Sequence, residues 1–236
     1  MIVQNLLAAC NFEDEMKTIV RVWDAPTRLF HWVLAACVVG LVVTAQIGGS
    51  AMDWHFRLGY GVLALLLFRL TWGFVGGHWS RFGSFVVGPA KAIAYLRAGA
   101  AAPQAVGHNP LGALSVLALM GFLALQVGSG LLSDDEIAAS GPLVKFVASV
   151  WVGNATFYHK EIGKLILLAL VALHLAAIAF YRLKKGEDLV RPMLTGDKTL
   201  DAPVPASNDN TSDRIKAAVL LAACVALVSG FVVWLG

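Results

Sequence analysis

Four of the six histidines in this chain stand where a membrane would make them costly. His159 and His174 lie fifteen residues apart in one apolar stretch, while His31 and His55 stand at opposite ends of the two apolar stretches nearest the N-terminus. An ionisable side chain at membrane depth marks a functional site by default. At a rise of about 1.5 Å per residue, fifteen helical residues span roughly 22 Å, room for two stacked macrocycles within a hydrocarbon layer of about 30 Å. At about 100° per residue the two side chains fall within roughly 60° of each other, so both can face one bundle interior. A neutral imidazole brings no net charge into lipid. It binds a metal through one ring nitrogen, while the other N–H seeks an acceptor. The four histidines therefore read as two axial pairs for two haem b groups, one near each membrane face. Bis-histidine ligation fills both axial positions, which suits electron transfer. Zinc and a proton relay are the competing readings. Zinc wants a tetrahedral cluster with Cys or carboxylate support, and a relay recruits buried Asp or Glu. No such cluster stands at either depth, and the interiors of these helices carry no Asp or Glu.

Composition says what must position these side chains. The 236 residues are 58% hydrophobic and only 14% charged, with a mean hydropathy of +0.72; a water-soluble domain carries about 25% charged residues. The chain is thus expected to be an all-α membrane protein. A net charge of +3, dispersed along the chain, argues against nucleic acid as a partner and leaves membrane lipid. Apolar stretches run over 29–47, 57–75, 110–132, 158–181 and 215–235. Each is near the twenty or so residues needed to span, and backbone in lipid must bond internally, so each is read as a helix. The architecture is a four-helix transmembrane di-haem bundle plus one additional C-terminal transmembrane helix. Its parts are an N-terminal extension (1–18), the bundle (19–185), a polar linker (186–213) and the fifth helix (214–236). Asp24 with Pro26, and Asn109 with Pro110, read as helix starts. The linker, with Pro203 and Pro205, reads as mobile. Residues 90–102 read as a short amphipathic surface helix. Ala218, Ala222 and Ala226 form a small-residue stripe suited to helix contact. Cys37 and Cys224 read as packing residues, and no Cys-x-x-Cys-His run for covalent haem occurs. The stretch ending at Cys10 imitates a lipoprotein cleavage site, but it is short and lacks a basic lead. Met16 is the alternative start.

Charge sets the expected orientation. Lys17, Arg21 and Arg28 precede the first span; Arg81, Lys91 and Arg97 follow the second; Arg182, Lys184, Lys185 and Arg191 follow the fourth. The alternate loops are poor in base: Asp53 precedes Arg57 in one, and Asp134, Asp135 and Glu136 oppose Lys145 in the other. This predicts a bacterial cytoplasmic (inner) membrane protein with a cytoplasmic N-terminus and a periplasmic C-terminus. Depth then pairs His31 with His174 at the inner face and His55 with His159 at the outer face. Arg69 near the inner face, and Arg57 or Lys160 near the outer, are candidate partners of haem propionates, because a guanidinium suits a carboxylate. For Arg69 snorkelling to headgroups is the alternative. His108 is a candidate for a propionate or quinone pocket, and His78 reads as solvated. Gly59, Gly61, Gly121 and Gly163 would let backbone approach a macrocycle or another helix.

The residues Val22-Trp23-Asp24-Ala25-Pro26-Thr27-Arg28-Leu29-Phe30-His31-Trp32 resemble the opening of the bacterial cytochrome b561 family, which includes the cytochrome b subunits of nickel–iron hydrogenases. Trp54-His55-Phe56-Arg57-Leu58-Gly59-Tyr60, Phe68-Arg69-Leu70-Thr71-Trp72-Gly73, Gly107-His108-Asn109-Pro110 and the His159/His174 pair continue the match, over residues 19–196. The resemblance implies a four-helix di-haem core with its ligands on the first, second and fourth helices, falling here on His31, His55, His159 and His174. It also implies electron exchange between membrane quinone and a redox partner. The fifth helix departs from the four-helix pattern. A c-type cytochrome docking on the acidic segment 133–146 is one expected partner, and a hydrogenase-like complex is another. Some members of the family are similar to superoxide-to-quinone oxidases, and Arg57 or Lys160 would attract that anion. A non-redox membrane anchor is the reading without cofactor.

Overall fold

The computed structural model describes residues 18–99, 105–137 and 139–235. Cys10, Met16 and Lys17, and the end of the 90–102 stretch, lie outside the described residues. A strand, β1 (Thr18–Arg21), leads into α1 (Ala25–Ile47). Asp24 starts α1: its carboxylate accepts from Thr27 N at 2.7 Å, and Pro26 sits in the first turn, where a missing N–H costs nothing. Gly48, at φ 67°, ends the helix. That left-handed backbone suits a residue without Cβ and turns the chain sharply into α2 (Met52–Val75). The short helix α3 (Pro89–Ala98) follows. Asn109 then caps α4 (Pro110–Leu131), its Oδ1 accepting from Gly112 N at 2.7 Å.

The fourth span is one continuous run of α5 (Ser149–Phe157), a π-turn (Tyr158–Gly163) and α6 (Lys164–Lys184). It begins nine residues before the expected position 158. Gly153 lies inside this run, and a single glycine costs a helix only about 1 kcal/mol and does not stop it. After α7 (Val190–Thr195) and β2 (Asp197–Leu200), α8 (Thr211–Leu235) closes the chain. Among the described residues five helices are thus long and apolar enough to cross a membrane: Ala25–Ile47, Gly49–Val75, Pro110–Leu131, Ser149–Lys184 and Thr211–Leu235.

Helix α2 is the centre of the bundle, with 44% of its most apolar window buried against 6–17% in the other spans. Val62, Leu66, Leu123 and Val127 join α2 to α4, with Cys37 of α1 packed against them. On the other side of α2, Phe30, Phe68, Trp72, Ala217, Cys224 and Val228 join it to α1 and α8. The face of α8 that meets the bundle therefore carries Ala217, Cys224 and Val228. Ala218, Ala222 and Ala226, the stripe expected to make that contact, are exposed. The helix is apolar on every side, so composition does not select its buried face.

The 186–213 segment also differs from its expected mobility. β2 pairs antiparallel with β1, Thr18 opposite Leu200 and Arg21 opposite Asp197. Arg21 Nε donates to Asp197 at 2.6 Å and Arg21 NH1 to Asp209 at 2.7 Å. Trp79 Nε1 donates to the Pro205 carbonyl at 2.7 Å, and Ser207 Oγ to the Val22 carbonyl at 2.7 Å. Trp32 Nε1 reaches the Met193 carbonyl of α7 at 3.2 Å. The segment is a strap laced across the basic end of the bundle.

Candidate functional site

The bundle brings the four histidines together in two pairs. The ring of His31 on α1 lies 6.4 Å, centroid to centroid, from that of His174 on α6. The ring of His55 on α2 lies 6.2 Å from that of His159 on the π-turn. These spacings suit one metal atom between each pair. A first-row metal sits about 2.0 Å from an imidazole nitrogen, itself about 1.2 Å from its ring centroid, so trans axial imidazoles have centroids about 6.4 Å apart. Among the described residues no group of three or more His, Cys, Asp or Glu gathers as a metal cluster. Two facing donors fit the axial positions of a macrocycle and fall short of a tetrahedral zinc site.

At the acidic end of the bundle both imidazoles are oriented by backbone. His55 Nδ1 lies 3.1 Å from the Leu41 carbonyl oxygen and 3.2 Å from Thr44 Oγ1. His159 Nδ1 lies 2.8 Å from the Gln126 carbonyl oxygen and 3.3 Å from Ser129 Oγ. A carbonyl only accepts, so each Nδ1 carries the proton and each Nε2 keeps its lone pair for a metal. Gln126 holds His159 a second time, its side-chain Nε2 donating to the His159 carbonyl at 2.9 Å. Two glycines make room for this arrangement. A Cβ on Gly130 would sit 2.8 Å from His159 Cε1, and one on Gly163 would sit 2.1 Å from Gln126 Oε1. Gly163 thus serves packing, whereas a Cβ at Gly59, Gly61 or Gly121 would meet nothing within 4 Å.

At the basic end four nitrogens among the described residues are shut off from solvent without a hydrogen-bond partner: Arg28 Nε, His31 Nδ1, Arg69 NH1 and His108 Nδ1. Arg69 is only 3% exposed, and its guanidinium lies 4.9 Å from the Phe82 ring. Snorkelling does not describe it. The His108 ring is wedged between Trp23 and Phe85, at 4.7 Å and 4.5 Å, with part of its edge at the surface. Enclosure by protein, then the Arg69 guanidinium, then His174 and His31, pull its pKa down to about 3. His108 is therefore neutral at physiological pH, and it shares an electrostatic neighbourhood with Arg69 and the His31/His174 pair. An unpartnered buried polar group costs about 1–3 kcal/mol, so the Arg69 NH1 donor calls for a group that accepts hydrogen bonds.

The other sequence candidates lie apart. Arg57 is exposed, with its guanidinium 5.2 Å over the Trp54 ring, and Lys160 is exposed on the π-turn. His78 is exposed in a short 3₁₀ turn, as expected. Sequence reasoning missed Thr44, Gln126, Ser129 and Gly130. Gln126 carried a signal, since a side-chain amide inside the apolar stretch 110–132 has to find a partner.

A helical bundle with facing imidazoles at two depths is the frame of a membrane cytochrome. The prokaryotic cytochrome b561 family model matches residues 22–196, and the chain belongs to that family. It is a multi-pass membrane electron-transport protein of the b-type cytochrome class. A probable Ni/Fe-hydrogenase B-type cytochrome subunit of Azotobacter chroococcum is 30% identical over 199 residues, covering 68% of this chain and 81% of the relative. The similarly described subunit of Bradyrhizobium diazoefficiens is 24% identical over 220 residues, covering 76% and 85%. The Ni/Fe-hydrogenase 1 B-type cytochrome subunit of Escherichia coli K12 is 24% identical over 209 residues, covering 74% and 88%. No solved structure matches.

Proposed function

We propose that this chain binds two haem b groups, one between His31 and His174 and one between His55 and His159, and carries electrons between a hydrogenase-type partner and membrane quinone. The single observation that carries the reading is the pair of imidazole gaps, 6.4 Å and 6.2 Å, each the width of one axially ligated metal. Haem b, when bound, supplies a one-electron carrier whose potential the protein tunes.

The protein's part is to bind, orient and insulate. Leu41 and Gln126 present carbonyls that fix the ring tautomers at the acidic end. Arg69 and His108 offer their unpartnered nitrogens to a propionate carboxylate, or to a quinone oxygen, at the basic end. The loop charges support a cytoplasmic membrane location with the basic end in the cytoplasm and α8 ending in the periplasm. Asp134, Asp135 and Glu136 then face the periplasm beside α5, where a redox partner docks. The match to hydrogenase cytochrome subunits favours that class of partner over a c-type cytochrome.

Pyridine haemochrome analysis of the purified holoprotein tests the reading. Two haem b per chain, both low-spin when ferric, are expected; one or none overturns it. Gly130→Ala is a second expected result. Its methyl would drive the His159 ring off its carbonyl, so haem per chain falls from two toward one and the remaining haem keeps its spectrum. Unchanged content and spectrum in this variant would place no haem at His159.

A further inference from the structure

The two imidazole pairs are not built alike. At the acidic end His55 Nδ1 meets the Leu41 carbonyl at 3.1 Å and His159 Nδ1 meets the Gln126 carbonyl at 2.8 Å. At the basic end His31 Nδ1 is shut away with no partner. The acidic-end arrangement centres on one residue. Gln126 accepts from the His159 ring through its own carbonyl and donates its side-chain amide to the His159 carbonyl at 2.9 Å. The two contacts bridge α4 and the π-turn across 33 residues of sequence. A π-turn inside an α-helix is rare and recurs at functional sites. Here it lies across the six residues that contain His159, and the Gln126 amide braces it from the neighbouring helix.

We propose that Gln126 is a positioning residue for His159, and that the acidic-end haem consequently has the lower midpoint potential of the two. The inference rests on the di-haem reading above. An imidazole that donates its second N–H to a carbonyl is a stronger electron donor to its metal, which stabilises the ferric state. Both acidic-end ligands have that bond. The basic-end pair has His31 without one. The difference in hydrogen bonding at the ligand imidazoles therefore separates the two potentials.

Potentiometric titration of the purified holoprotein, followed by absorbance and by electron paramagnetic resonance of the ferric state, tests this. His174→Ala removes the basic-end haem, and the haem that remains titrates near the lower of the two wild-type midpoints. His159→Ala leaves the haem near the upper one. Gln126→Leu raises the acidic-end midpoint and shifts its ferric resonance, while the basic-end signals stay in place. The proposal is overturned if the His174→Ala protein titrates near the upper midpoint, or if Gln126→Leu moves both midpoints together or neither. Should Gln126→Leu not accumulate as holoprotein, the assignment from the two histidine variants still decides the order of potentials. Failure of the di-haem reading is distinguishable, because the wild-type protein would then hold fewer than two haems.

Discussion

Alanine in place of any one of His31, His55, His159 or His174 is expected to remove one haem and leave the other. Each pair closes on a gap of its own, 6.4 Å on one side and 6.2 Å on the other, and no ring belongs to both pairs. Loss of one axial ligand halves the direct hold on that metal. It also leaves the opposing imidazole lone pair desolvated without a partner, at a cost of about 1–3 kcal/mol. Double variants sharpen the expectation, because residues that act as a unit are not additive. His31→Ala with His174→Ala should leave one haem, as each single variant does. His31→Ala with His159→Ala should leave none. Haem per chain, measured against protein mass, reads out the whole set. A same-pair double variant with no haem, or a cross-pair double variant that keeps one, would show that depth does not pair these ligands.

The contact between these partners was legible because it follows from two features written locally in the chain. Loop charge fixes which ends of the spans lie together, and the rise of a helix fixes how far apart His159 and His174 stand. The caps at Asp24 and Asn109 were legible for the same reason, each being a side-chain bond to backbone three residues on. Gln126 was visible as an oddity but its role was not, since its partner lies on another helix and nothing in Tyr158–Gly163 announces a π-turn. The 186–213 strap was misread because ion pairs and solvation draw on the same residues. Asp209 and Asp197 look like a solvated linker until Arg21 is found between them. Arg69 is the converse case. Only packing could show that a cation near the end of a span is enclosed by Phe82 instead of reaching the headgroups.

Asp24→Ala is expected to be the most destabilising single change outside the histidines. Asp24 is fully buried, and its carboxylate gathers donors from three parts of the chain. It accepts from Thr27 N at 2.7 Å at the start of α1, from Gly77 N at 2.9 Å beyond α2, and from Ser80 Oγ at 2.8 Å. Trp72 Nε1, near the end of α2, points at both oxygens from 3.3 Å. Gly77 has to be glycine for this, since a Cβ there would sit 2.4 Å from Asp24 Oδ2. Alanine strands these donors in a dry site and leaves the nearby Arg69 guanidinium, which feels the Asp24 charge, without its counter-charge. Removing one partner from such a buried network costs about 3–5 kcal/mol, against about 1 kcal/mol for losing the helix cap alone. The thermal unfolding midpoint in detergent should fall by on the order of 10 °C. Asp24→Asn keeps the shape but turns an amide toward donors, so it should lie between wild type and alanine. The basic-end haem should loosen first, because Asp24 anchors the start of α1 about two helical turns before His31. An Asp24→Ala protein that unfolds at the wild-type temperature would mean that water or a rearranged Ser80 satisfies these donors, and that the basic end is not held together at this carboxylate.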